Sequence, residues 1–149
     1  MDVEIEVVQK VTDEIVEAFG RLLPQLSTSA RPLDVGALTK IATAEASNVL
    51  VARVGGQIVG TLTVVIFPIP TGVRAWIEDV IVDQEARGKE FGGKRVGEAL
   101  TIEAIRLARE ADAKTVDLTT RPSRVAAGKL YERLGFEQRD SRVYRYSPS

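Results

Sequence analysis

The chain of 149 residues contains no cysteine and no histidine. Without cysteine there are no disulfides and no thiol nucleophile. Without histidine there is no imidazole base, so Ser-His-Asp and Cys-His mechanisms are excluded. The two absences also take away the usual zinc ligands, and no metal site is expected. Neither sign of charge prevails: 20 Lys plus Arg stand against 21 Asp plus Glu, a net charge of −1. No overall field would gather nucleic acid. No apolar run approaches the roughly 18 residues of a membrane span. The start MDVEIEVVQK also lacks the charged-then-apolar pattern of a leader. The expectation is a cytoplasmic protein whose partners are neither nucleic acid nor membrane. Any enzyme here must work with carboxylates, tyrosine, lysine, arginine, hydroxyls and backbone dipoles.

What the chain does have is regular patterning over its whole length. Its size suits one domain, residues 1–149, able to bury about two thirds of its unfolded surface. Val3, Ile5 and Val7 alternate with acidic residues, the period of a half-buried strand. Thr12 and Asp13 cap a helix expected to stop near Pro24, and Asp34 caps a second reaching about Ala46. Asn48–Arg53 and Gln57–Phe67 read as strands joined by the turn Val54-Gly55-Gly56. Val73–Val82 is a further strand, followed by a helix to about Ala111 and a strand Thr115–Thr119. Pro122 leads to a helix with its C-cap at Gly135. Phe136–Arg139 and Val143–Tyr146 read as short closing strands. The order β-α-α-β-β-β-α-β-α-β-β, about seven strands and four helices, predicts an α/β fold. Its sheet would be mixed, with helices on both faces.

The stretch Trp76–Leu100, WIEDVIVDQEARGKEFGGKRVGEAL, joins a strand to a basic, glycine-rich turn and a helix. Free N–H groups and the helix dipole make such a junction suited to anions, among them the pyrophosphate of a nucleotide-like cofactor. At 100° per residue, Val96, Leu100, Ala104, Leu107, Ala108 and Ala111 form one apolar stripe on the helix. Ile102 and Ile105 fall outside it, where a neighbouring element, the chain's own loops or a partner subunit would cover them; a homodimer is compatible with this.

These features resemble the GNAT superfamily of acyl-CoA-dependent N-acetyltransferases. Ile77–Asp83 running into Glu85-Ala86-Arg87-Gly88-Lys89 is similar to the start of the family's acetyl-CoA pyrophosphate loop. Ala127-Gly128-Lys129-Leu130-Tyr131-Glu132-Arg133-Leu134-Gly135-Phe136 is similar to its A-x-x-L-Y-x-x-x-G-F segment. The two motifs stand in the family's order, and the element order agrees over essentially the whole chain. One departure concerns the loop, which in the family reads R-x-x-G-x-G/A. Without a gap, Arg87-Gly88-Lys89-Glu90-Phe91-Gly92 puts Glu90 at the middle glycine, where a carboxylate repels pyrophosphate. In the other register the loop is lengthened by Glu90–Lys94, and the motif resumes at Arg95-Val96-Gly97. Helix geometry favours the lengthened loop, since Phe91 would otherwise lie opposite the apolar stripe.

The resemblance implies an N-acetyltransferase moving an acetyl group from acetyl-CoA to an amine of a small molecule or peptide, by direct attack in a ternary complex. The alternative is a catalytically silent domain of the same fold that binds CoA weakly or serves as an interaction module. Glu78 and Asp79 are the candidate bases; on a strand they alternate faces, and Glu78 is favoured. By resemblance, Tyr131 donates a proton to the leaving thiolate, and the backbone of Val80, Ile81 and Val82 pairs with the pantetheine arm beside a β-bulge. Arg87, Gly88, Lys89, Arg95, Val96 and Gly97 would hold the phosphates. Arg74 and Trp76 are placed at the border of the cleft.

Overall fold

A computed structural model describes residues 2–87 and 93–148. The described chain divides into two compact units, 1–119 and 120–149. The first holds five strands in the order β1-β2-β3-β4-β5: β1 Val3–Val7, β2 Ser47–Val54, β3 Gln57–Ile69, β4 Gly72–Val82 and β5 Thr115–Asp117. The first four are antiparallel neighbours and β5 runs parallel to β4, so the sheet is mixed as expected. Helices α1 Asp13–Leu26, α2 Val35–Ala42 and α3 Gly93–Glu110 belong to the same unit. Helix α4, Val125–Arg133, belongs to the second.

Alternation along β2 sorts the helices onto the two faces. Val49 and Val51 point to one face and pack with Ile15, Phe19 and Leu22 of α1 and Leu38 of α2. Leu50 and Ala52 point to the other, where their cross-strand partners are Leu62 and Gly60. A Cβ on Gly60 would lie 3.0 Å from Val96 Cγ1 and 3.3 Å from Leu100 Cδ1, which puts α3 on this second face. Only a residue without a side chain lets the helix sit this close to the sheet. Val96, Leu100, Ala104 and Ala108 of the predicted stripe are buried, whereas Ala111 lies just past the helix end and is exposed. Ile102 stays 50% exposed on the outer flank.

Two boundaries differ from the sequence expectation for local reasons. Helix α1 runs through Pro24 to Leu26, and Ser27 N–H still bonds Leu23 O at 3.0 Å. Proline here falls in the last turn, and the carbonyl its ring would crowd belongs to Gly20, which offers no side chain to worsen the contact. Helix α2 stops at Ala42, with Thr43 as its cap, so its last turn is shorter than expected.

The expected count of about seven strands is corrected to five among the described residues. Phe136–Arg139 and Val143–Tyr146 form no strands. An alternating sequence becomes a strand only with a ladder partner and a face to bury. Here Val143, Tyr144 and Tyr146 are all exposed, Tyr144 by 90%, so neither face of the segment is covered. Gly135 does close α4, with φ 99°, as its C-cap position requires. Among the described residues no helix is long and apolar enough to cross a membrane.

Candidate active site

Strand β4 carries most of the candidate residues, and its two ends are built differently. Arg74, Ala75 and Trp76 pair with Thr115, Val116 and Asp117 of β5, and the β5 ladder ends there. On the other side β3 continues along the whole strand, but not in regular register. Thr63 pairs with Glu78 while Thr61 pairs with Ile81, so β4 holds one residue more than β3 across this interval. That extra residue is a β-bulge. Asp79 sits in it with φ 50°, a left-handed conformation that aspartate tolerates better than most side chains. Regular alternation would put Ile77 and Ile81 on one face. With the bulge, Ile81 instead joins the α1/α2 core, while Val64, the partner of Ile77, lies on the α3 face. The expected bulge is therefore present at Asp79–Val80, and β4 runs on from there without β5.

Glu78 pairs with Thr63, which pairs in turn with Val49, so Glu78 lies on the α1/α2 face. It is exposed, and its Oε2 accepts a hydrogen bond of 2.5 Å from Trp76 Nε1, two residues back on the same face. Asp79 is also exposed but is turned by the bulge out of that row. Of the backbone candidates, Val80 is half-buried and Ile81 is in the core, leaving only its main chain for any ligand. The Val82 carbonyl accepts from Arg87 Nε at 3.0 Å.

A buried polar knot fastens the exit of β4 and was not legible in the sequence. Asp83 is 5% exposed. Its carboxylate takes hydrogen bonds from Arg21 Nη1, from Gln25 Nε2 at 3.3 Å and from the Glu85 amide at 3.2 Å. Arg21 also reaches the Ile58 carbonyl at 3.1 Å, and Gln25 Oε1 accepts from the Gln84 amide at 2.9 Å. Helix α1 thereby grips the turn Gln84–Ala86 from 62 residues away, and every donor the buried carboxylate needs is supplied. A cavity of about 330 Å³ opens beside the knot, lined by Glu14, Glu17, Arg21, Asp83 and Glu85 among others.

Beyond the turn, Arg87 is exposed. Gly88 and Lys89 lie outside the described residues, as does most of the proposed insertion Glu90–Lys94. Helix α3 begins at Gly93, two residues before Arg95. Arg95 is exposed in its first turn, whereas Val96 and Gly97 are buried against the sheet and can offer only backbone groups. In the second unit, Tyr131 on α4 is half-buried and meets Phe136 edge-on, with ring centroids 5.7 Å apart. Burial pushes its phenol above the ordinary tyrosine range, and Arg124 pulls part of the way back. The hydroxyl is therefore protonated at neutral pH, the form that can give a proton.

The geometry of β4 suits an extended polar ligand. Past Trp76, the edge of β4 that faced β5 presents backbone N–H and C=O groups to no ladder partner among the described residues. Such an edge binds an extended molecule carrying amides as another strand would bind. The first turn of α3 brings the positive end of a helix dipole to the same end of the sheet, with Val96 against Gly60, the partner of Val82.

Comparison with known proteins identifies the fold and the family. No curated protein sequence matches the chain. Among solved structures, an acetyltransferase of Trypanosoma brucei is 25% identical, with a TM-score of 0.76 over 98% of this chain and all of its own. A protein of Bacillus halodurans C-125 described as a transcriptional regulator is 28% identical, with a TM-score of 0.77 over the same shares. AAC(6')-Iy, solved with the bisubstrate analog CoA-S-monomethyl-acetylneamine, shares the fold at 18% identity and a TM-score of 0.74, over all of this chain and 99% of its own. The family model for the acetyltransferase (GNAT) family matches residues 12–136, from the cap of α1 to the phenylalanine after α4, and the chain belongs to that family.

Proposed function

We propose that residues 1–149 act as one N-acetyltransferase domain, which moves an acetyl group from acetyl-CoA to an amine of a small molecule or peptide. The observation that carries this is the far half of β4, where a bulge, an edge with no ladder partner among the described residues and an exposed carboxylate coincide at Glu78–Val82. Acetyl-CoA supplies an activated acyl group as its thioester. The main chain of Val80–Val82 would pair with its pantetheine amides. Arg87, Gly88, Lys89 and Arg95, with the amides of Val96 and Gly97, would hold its phosphates.

Glu78 takes the proton of the acceptor amine, directly or through one water, and leaves a lone pair to attack the thioester carbonyl. As the new C–N bond forms, the C–S bond breaks. Tyr131 gives its hydroxyl proton to the departing sulfur and regains one from the nitrogen, which sheds its second proton as it becomes an amide. Holding both reactants together supplies much of the rate, so no covalent bond to the protein is needed. Support for Tyr131 comes from the family motif it stands in. A cytoplasmic setting, with acetyl-CoA at hand, is part of the proposal.

Calorimetric titration with acetyl-CoA, followed by turnover on a panel of amines, tests it. Micromolar binding that is lost with pantetheine fragments, together with turnover of at least one amine, is expected. Absence of binding at millimolar acetyl-CoA would overturn it.

A further inference from the structure

We propose that Trp76 is a positioning residue for the acetyl transfer, holding the Glu78 carboxylate toward the acceptor amine through its indole N–H; this rests on the function proposed above. Trp76 and Glu78 are two residues apart on the regular part of β4, ahead of the bulge, and so share a face. Their cross-strand partners, Val65 and Thr63, stand in one row on β3. The 2.5 Å contact from Trp76 Nε1 reaches one carboxylate oxygen, Oε2. An indole nitrogen is a donor only, so the bond has a single sense, and it engages Glu78 as an acceptor.

The surroundings make this bond matter. Glu78 is exposed, and an exposed glutamate samples several rotamers. Trp76 is half-buried at the last residue of β4 that β5 still pairs, through Asp117, so its backbone is held where the ladder ends. One residue past Glu78 the chain enters the left-handed bend at Asp79. The carboxylate thus stands between a half-buried ring and a left-handed bend. With Oε2 engaged by the indole, Oε1 is the oxygen left to take a proton from the amine. A base held in one orientation costs less ordering at each turnover than one that must find it. The ring adds an apolar wall beside the base, which an aliphatic or sugar acceptor can lie against.

Trp76→Phe keeps most of the wall and removes the donor. We expect kcat to fall about 10-fold with the KM for acetyl-CoA unchanged. Trp76→Phe combined with Glu78→Gln should be no slower than Glu78→Gln alone, because the indole acts only through the carboxylate. The chain has a single tryptophan, so its indole N–H gives one cross-peak in a nitrogen–proton spectrum. Glu78→Leu should move that peak upfield and quicken its exchange with water. A peak indifferent to Glu78→Leu would show that the bond is not formed, and the proposal fails. Wild-type kcat in Trp76→Phe, or a double variant about 10-fold slower than Glu78→Gln, would also overturn it. If the peak responds but the wild-type protein acetylates no amine in the panel, the pair stands. The proposed reaction, and with it the positioning role, then falls.

Discussion

The two halves of β4 are paired differently: the first lies in a regular ladder between two strands, and the second is bulged along β3. Gly72–Ile77 is a regular strand with β3 on one side and, from Arg74 to Trp76, β5 on the other. Its inward residues, Ala75 and Ile77, are buried and its ladder is in step. Glu78–Val82 keeps β3 alone among the described residues, contains the bulge and a left-handed aspartate, and ends in a knot of side chains from α1. In the proposed enzyme one strand therefore serves as scaffold over its first half and as site over its second. The lesson is positional. The irregular half can be held open because the regular half and the knot fix it at both ends, and neither anchor depends on the missing β5 contacts.

The comparison breaks most sharply at the junction, where neighbouring residues should fail in opposite ways. Ile77 is 3% exposed. Ile77→Ala should cost about 2–5 kcal/mol of stability, read as a lower denaturant midpoint, while folded molecules keep their kcat. Glu78→Gln should leave the midpoint within about 0.5 kcal/mol. Its turnover should drop about 100-fold or more, with acetyl-CoA affinity unchanged. A Glu78→Gln variant that turns over normally would remove the carboxylate from the chemistry and leave the far half a binding edge only.

The knot at Asp83 gives a middle-sized effect and tests whether the far half needs its second anchor. Arg21→Met leaves a nearly buried carboxylate with Gln25 and one amide as its partners. The arginine side chain is 37% exposed, so water screens part of the attraction, and a loss of about 1–3 kcal/mol is expected. If the knot anchors the turn Gln84–Ala86, affinity for acetyl-CoA should fall as well. Affinity for pantetheine, which lacks the pyrophosphate, should be unchanged. Equal loss for both ligands would mean that the knot supports the fold and not the phosphate end.

Much of this was legible in the sequence because it is local. Alternation marked β1, strand-like runs marked β2, β3 and β4, and the side chains of Thr12 and Asp34 cap α1 and α2 as read. The segment around Tyr131 carries its helix, its C-cap glycine and its family likeness in ten consecutive residues. What was not legible depends on distant partners. Arg21 and Gln25 look like the polar face of a surface helix, and only folding brings them to Asp83. VYRY alternates well enough to be read as a strand, yet nothing in its own residues says whether a partner will pair with it. The bulge lies between these cases. A splayed β4 was expected from the family, but nothing in EDVIV marks which residue would turn left-handed.

That residue gives the smallest predicted effect and the finest test. Asp79 adopts φ 50°, which costs an ordinary side chain about 1–2 kcal/mol and glycine almost nothing. Glycine in its place relieves that strain but leaves the unfolded chain more freedom, worth about 0.4–1 kcal/mol in the other direction. The two nearly cancel, so Asp79→Gly should shift stability by less than about 0.5 kcal/mol and preserve the bulge. Its turnover should match wild type, because the bend and not the carboxylate is what the site takes from this position. If turnover instead collapses while the protein stays folded, Asp79 is the base. Glu78 would then be its neighbour on the strand, and the division of β4 would fall one residue later.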